Sequence, residues 1–288
     1  ITGAKTIKLL GLDGVYSQIM VENMPNVRGL ASSYGLTFIP GPWIESIQIT
    51  KGPGSVVNGY EGITGAINTE IKKPYDIDEE IWLINLFASN SGRYEANVNF
   101  KHLFNEKWAT AIYTHNREMQ NKRGDSGDTF LDAPLNSTYA IMNKWNYFSD
   151  HHHEAQFGVK YVKSDLTGGQ MNYNKSLEPS VNNGYGVEVN INRFEAFMKN
   201  GFVFDRPNTS IGTIVIANGG TVGGQGNSGN GAGGAGATAG TGTIALPGNT
   251  GLYGGLPAVG GGQGASSYLG GSPGVAAANS AGISAVAN

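Results

Sequence analysis

From residue 81 onward, apolar and polar side chains alternate with a period of two. Between Tyr94 and Leu103, Glu95, Asn97, Asn99 and Lys101 share one face, and Ala96, Val98 and Phe100 share the other. Successive side chains of a strand point to opposite sides, so this spacing predicts a strand with one apolar and one polar face. The same reasoning predicts strands over 81–88, 107–117, 136–148, 153–163 and 185–198. A further strand begins within 201–215, where Pro207 interrupts it. In 153–163, Ala155, Phe157, Val159 and Tyr161 oppose Glu154, Gln156 and Lys160; in 185–198, Val187, Val189 and Ile191 oppose Glu188, Asn190 and Asn192.

The connections alternate as well. Short turns are expected at 104–106, 150–152 and 199–201, and long polar loops at 118–134 and 164–183. Two-faced strands of this length joined by alternately short and long connections suit a transmembrane barrel, with the apolar face toward lipid and the polar face toward the lumen. A soluble β-sandwich, hiding one face in its core, shows the same alternation. Trp108, Tyr113, Tyr139, Trp145, Tyr147 and Phe148 at strand ends fit an interfacial girdle and fit a sandwich core equally.

The first 75 residues have a different texture. Ile47 and Ile49 alternate with Ser46, Gln48 and Thr50, and Gly52-Pro53-Gly54 then stops the strand. Gly59, Gly62 and Gly65 follow at three-residue spacing, which suits a backbone pressed against another surface. Ala66-Ile67-Asn68 reopens an extended run, and Lys72-Lys73-Pro74 closes it.

Ile44, Glu45, Ile47, Ile49, Lys51, Gly52, Pro53, Ser55, Gly59, Gly65, Ile67, Asn68, Lys72, Lys73 and Pro74 together resemble the run that ends the plug domain of TonB-dependent outer-membrane receptors. Upstream, Leu12-Asp13-Gly14-Val15 matches the same family's L-D-G-V turn. The wording of 21–30 (VENMPNVRGL) and 34–48 (YGLTFIPGPWIESIQ) resembles the receptors of Bacteroidetes-type bacteria. This resemblance tips the choice between barrel and sandwich to the barrel. It implies a mainly β chain: the C-terminal half of an α+β plug over 1–75, a linker over 76–80, six or seven strands of a barrel of about 22 strands over 81–216, and a Gly-rich irregular tail over 217–288. It also implies energised uptake of a scarce nutrient (metal chelate, cobalamin or glycan) across the bacterial outer membrane. The implied partners are the TonB energy-transducing system, outer-membrane lipid, an unidentified nutrient and a surface lipoprotein. Glu22, Asn26, Arg28 and Tyr34, in or beside plug loops, become candidate ligand contacts, weighed against turn chemistry and an internal salt bridge for Arg28. Asp13, Gly14, Glu45, Lys51, Gly52, Pro53, Gly59, Gly65 and Asn68 carry the plug motif. Lys51 and Glu45 are expected to pair with a polar lumen wall. The chain opens without Met inside an apparent strand, so it is read as a piece of a longer receptor, lacking the front half-plug and TonB box.

Composition narrows the rest. A net charge of -3 leaves no basic footprint for nucleic acid. Without a cysteine there is no disulfide framework and no Cys-based metal site or nucleophile. From 217 the chain has no charged residue and is dominated by small ones, so disorder is expected. His151-His152-His153 suggests a metal, but consecutive strand residues cannot converge, and a polar turn is preferred. Asp125, Asp128 and Asp132 lack the spacing of a calcium loop. The G-x-G-x-x-A match at 234–239 follows no strand and carries no weight. No cofactor site, metal site or catalytic constellation is expected, so the chain is read as a non-enzyme. The competing reading is a β-rich surface adhesin or binding module on a Gly-rich stalk.

Overall fold

A computed structural model describes residues 3–5, 7–26, 32–54, 62–76, 80–125, 127–149, 153–177, 183–206, 209–226, 277–279 and 282–284. The chain is mainly β, and its regular structure falls into a small mixed sheet and a large antiparallel one.

The small sheet has the order β2-β1-β4-β3, from β1 (Ser17–Val21), β2 (Met24–Pro25), β3 (Ile44–Lys51) and β4 (Gly65–Ile71). β1 runs parallel to β4 in the register Ser17↔Gly65 to Val21↔Thr69. β3 runs antiparallel on β4's other side, with a register shift between Ile44 and Ser46. A four-residue helix, α1 (Ser32–Gly35), precedes a 3-10 turn at Gly41–Trp43. Gly65 has φ +148, and a Cβ there would strike the Thr50 carbonyl oxygen, so only glycine lets β3 and β4 meet so closely. β3 is exposed along nearly its whole length, including Ile47 and Ile49.

The large sheet is a seven-stranded meander: β5 (Trp82–Ala88), β6 (Arg93–Leu103), β7 (Trp108–Met119), β8 (Leu135–Ser149), β9 (His153–Gly169), β10 (Gly186–Val203) and β11 (Ser210–Gly226). Each strand pairs with its neighbours in sequence, so β5 and β11 are open edges. Two further short strands, β12 (Ala277–Asn279) and β13 (Gly282–Ser284), form a separate hairpin.

Three expected boundaries change. The loop drawn from 164 starts at 170, because β9 continues to Gly169. Ser164 and Leu166, read as loop, are buried inward-facing rungs. The turn expected at 199–201 is strand: Asn200-Gly201 pairs with Ala155 and Glu154 on one side and with Thr213 and Gly212 on the other. The reversal lies between Val203 and Ser210. β11 continues to Gly226, ten residues past the boundary drawn at 216, because ladder hydrogen bonds use only backbone and glycine supplies them. The 150–152 turn, His151, His152, Gly59 and residues 227–276 lie outside the described residues.

The two faces of the large sheet differ. On the inward face, Asn97, Asn99, His115, Lys144, Asn146 and Lys160 are all buried against or near the small sheet. His115 Nδ1 and Asn97 Oδ1 lie 2.7 Å apart across β6 and β7. The outward face carries Leu86, Ile112, Val159, Phe194 and Met198, all exposed. At the short-turn end this face has an aromatic row: Trp145 stacks between Phe104 (5.5 Å) and Phe157 (5.9 Å), and Trp108 meets Tyr147 at 4.7 Å. Two aromatics expected in that row point inward instead. The Tyr113 hydroxyl donates to the Lys72 carbonyl, and Phe148 packs edge-on to Tyr75 at 4.7 Å.

The polarity of β10 reverses partway along. Below Ile191, Arg193, Glu195 and Lys199 face inward, and Phe194 and Met198 outward. Above it the expected assignment fails: Val189 and Ile191 are 1% exposed and face inward, so Glu188, Asn190 and Asn192 face outward. The apolar side chains there join one buried cluster with Val162, Leu166 and Tyr34 and Phe38 of the small sheet's loops. The apolar outer band on β8 runs from Tyr139 to Tyr147, a height of roughly 20 Å for tilted strands.

Candidate functional site

The site is the interface where the small sheet meets the inward face of the large one. Its centre is the β1–β2 turn. Glu22 and Asn23 are the two loop residues of this hairpin, and both have left-handed backbones (φ 55 and 60). Positive φ at both central positions is the geometry of a tight hairpin turn that favours Asn and Gly. Asn23 suits it and Glu22 does not, so the turn holds a strained residue. Asn68 of β4 holds the turn from below: its Oδ1 accepts from the Asn23 amide at 2.8 Å. The Glu22 amide donates to the Thr69 carbonyl at 2.9 Å.

The strain serves to aim one carboxylate. Glu22 Oε1 accepts from Lys144 Nζ of β8 at 2.6 Å and from the Ile71 amide at 3.0 Å. Glu22 Oε2 lies 3.7 Å from Lys199 Nζ of β10, and the same ammonium donates to the Glu22 carbonyl. Lys144 is 1% and Glu22 7% exposed. Burial alone pushes the Glu22 carboxyl up, but the charges of Lys144 and Lys199 and the Ile71 amide bring it below its ordinary value. Removing either partner of such a buried pair strands the other charge.

Further contacts repeat one polarity: the large sheet donates and the small sheet accepts. Arg193 Nη2 donates to the Asn26 carbonyl at 2.7 Å. Asn99 Nδ2 donates to the Pro42 carbonyl at 3.0 Å, and Lys101 Nζ to the Asp76 carbonyl. In the opposite sense, Trp43, fully buried, points its indole N–H at the Thr114 carbonyl, 3.4 Å away. Glu195 balances the cations within the large sheet, 2.6 Å from Lys160 and paired with Arg193.

The sequence-expected residues divide clearly. Glu22 and Asn26 reach the interface, where Glu22 is an anchor with its carboxylate on the large sheet. Tyr34 is buried in the shared apolar cluster. Arg28 lies outside the described residues. Asp13 makes a solvent-exposed ion pair with Lys8 at 3.6 Å, and Gly14 passes so close to the Ile7 carbonyl that a side chain would collide. Glu45 pairs with Lys73 at 3.8 Å within its own unit, not with the large sheet. Lys51 is exposed at the end of β3. Gly52 has φ +92 and its amide donates to the Thr64 carbonyl, and Pro53 follows it in the same turn. Sequence reasoning missed Lys144, Lys160, Arg193, Glu195 and Lys199. The available signal was a charged residue at an inward register position, which Lys144 and Lys160 both satisfy. Among the described residues no group of three metal-ligating side chains converges, and Asp128 and Asp132 instead hold backbone amides of their own loop.

Among solved structures, the copper transporter OprC superposes with a TM-score of 0.50 over 78% of this chain and 42% of its own, at 11% identity. The fold is that of a TonB-dependent receptor's plug and barrel wall. The ferric-catecholate import receptor Fiu from E. coli K12 aligns with a TM-score of 0.45 at 12% identity, over 78% of this chain and 41% of its own. The ferric enterobactin receptor PfeA from Pseudomonas aeruginosa aligns at 0.42 and 10% identity, over 72% and 37%. The chain thus spans about two fifths of the structures it resembles. No family model and no curated protein matches the sequence. Glu22 is thus the ionic anchor of the small sheet on the large one.

Proposed function

We propose that this chain supplies the plug and the adjoining wall strands of a TonB-dependent outer-membrane receptor that imports a scarce nutrient. The observation that carries the reading is the two-faced wall: an apolar, aromatic-edged outer band, and a polar inner face that holds a plug by ion pairs. An adhesin sandwich has no use for a charged inner face docked on a separate small sheet. The open edges of β5 and β11 and the two-fifths coverage support a barrel completed by further strands. Bare edges of this length invite aggregation unless they are paired.

In this reading the plug blocks the lumen, and pulling by the TonB system from the periplasmic side breaks the plug's anchors. Energy comes through that partner, so the chain does no catalysis and holds no nucleotide or metal of its own. The nutrient belongs to the metal-chelate, cobalamin or glycan class. The Bacteroidetes-type wording of 21–48 supports a surface lipoprotein as companion. Membrane fractionation of cells making the full chain tests the reading. Sedimentation with the outer membrane and heat-modifiable migration in detergent are expected, whereas release as a soluble secreted protein contradicts it.

A further inference from the structure

The two long connections, 120–134 and 170–185, are tied to each other across the ends of β8 and β9. Residues 129–131 run antiparallel to 169–171. The Met171 amide donates to the Thr129 carbonyl at 2.9 Å, the Leu131 amide donates to the Gly169 carbonyl at 2.8 Å, and Phe130 bridges Gln170 between them. Lys122 adds a second tie: its ammonium donates to the carbonyls of Met171 (2.8 Å) and Tyr173 (2.7 Å). Gly124 lies so close to both that a Cβ there would stand 2.7 Å from the Phe130 carbonyl oxygen and 3.1 Å from Met171 Sδ.

Each connection is also braced within itself. In the first, the Asp132 amide donates to the Arg123 carbonyl at 2.9 Å, and the Asp132 carboxylate accepts from the Asp125 amide at 2.8 Å. In the second, the Asn183 side chain accepts from the Asn174 amide at 2.9 Å and donates to the Asn174 and Leu177 carbonyls. Tyr173 is buried, and its hydroxyl donates to Glu188 of β10 at 2.9 Å. Polar surface loops are ordinarily mobile and open one by one. Here two carbonyls of the second connection are held by a cation of the first.

We propose that the two connections form a single body, with the Lys122 ammonium as its fastener, and that they open together or not at all. Hydrogen bonds from a charged donor are stronger than neutral ones, and here one donor holds two acceptors. Both acceptors are backbone carbonyls, so the bonds fix the course of the second chain and not one side-chain rotamer. Two independent loops would each lose conformational freedom when something bound them, whereas a fastened pair has lost that freedom on folding. The loop end of the large sheet thus presents one preformed surface. The contacts do not depend on the sheet closing into a barrel, so this proposal and the receptor reading fail independently.

Limited trypsin digestion of the full chain in detergent tests the proposal, because Arg123 lies in the first connection and Lys175 in the second, both exposed. Lys122→Met, a change at an exposed side chain, is expected to speed cleavage after Lys175 by about tenfold, the factor for losing one charge-assisted hydrogen bond. No residue flanking that scissile bond has changed, so the rise reports the second connection opening. Cleavage after Arg123 should rise with it. Lys122→Arg, which keeps the donors, should leave cleavage after Lys175 near the wild-type rate. Unchanged cleavage after Lys175 in Lys122→Met, or a rise confined to Arg123, overturns the proposal. Equal acceleration by Lys122→Arg and Lys122→Met overturns the ammonium as fastener. Lys144 and Lys160, buried in the sheet, should stay uncut throughout. If Lys122→Met exposes them, Gly124→Ala decides, since it wedges the two chains apart without changing charge. Faster cleavage after Lys175 in that variant supports the single body, and an unchanged rate overturns it.

Discussion

Glu22 Oε1 sits 2.6 Å from Lys144 Nζ although 122 residues separate them in sequence, and both side chains are buried. The small sheet is therefore fastened to the large one by a pair that is costly to break from one side. Glu22→Gln is expected to destabilise the docked small sheet by about 3–5 kcal/mol, because Lys144 keeps a buried, uncompensated charge. Adding Lys144→Met should recover part of that loss, so the double variant is more stable than the sum of the singles. Denaturant unfolding followed by tryptophan fluorescence measures both, since Trp43 is buried at this interface.

The same carboxylate sets an acid limit. Its folded pKa lies below the ordinary value, so the unfolded state binds the proton more readily. The contribution of Glu22 is complete above the ordinary carboxylate range, about pH 4.3, and is lost as pH falls through the depressed folded value. Thermal unfolding from pH 7 to pH 3 should show a stability decline at the acid end in the wild type. In Glu22→Gln that decline should be shallower.

Gly65 offers a backbone test. Alanine there combines a positive φ with a collision against the Thr50 carbonyl, so Gly65→Ala is expected to cost on the order of 2 kcal/mol or more. Gly41→Ala, with open space around its Cβ position, should change stability by less than about 0.5 kcal/mol. Comparing the two by thermal unfolding separates a motif glycine from an incidental one.

Tyr173 reports on the second long connection. Burial, together with its hydrogen bond to the Glu188 carboxylate, pushes the phenol up to about 12. The resulting stabilisation is present below the ordinary tyrosine value, about 10, and disappears as pH rises through the folded one. Absorbance titration should show a late-ionising tyrosine near pH 12 that is missing in Tyr173→Phe.

Much of this architecture was legible in the alternation of side chains. That Asn97, Asn99 and Lys101 share one face and Val98 and Phe100 the other follows directly from period two. The plug's turns were readable at Gly52 and Gly65, where backbone conformation demands glycine. The anchor was harder to see. Glu22 is a poor turn former, and its reason for being there is Lys144, a contact that no local pattern encodes. Lys199 was hidden because Asn200-Gly201 is a strong turn signal, overridden here by continuous pairing with both neighbouring strands. The inversion along β10 escaped because alternation fixes which residues share a face, not which medium that face meets.

That inversion supplies the most direct test of the wall. Single cysteines at Asn190, Asn192, Phe194, Ala196 and Met198, all on the outward face of β10, can carry spin labels in vesicle-reconstituted chain. Labels at Phe194, Ala196 and Met198 are expected to collide with oxygen and be shielded from a water-soluble nickel chelate, with the chelate reaching Asn190 and Asn192. Free access of the chelate to all five positions, or burial of all five from both probes, would contradict a lipid-facing wall.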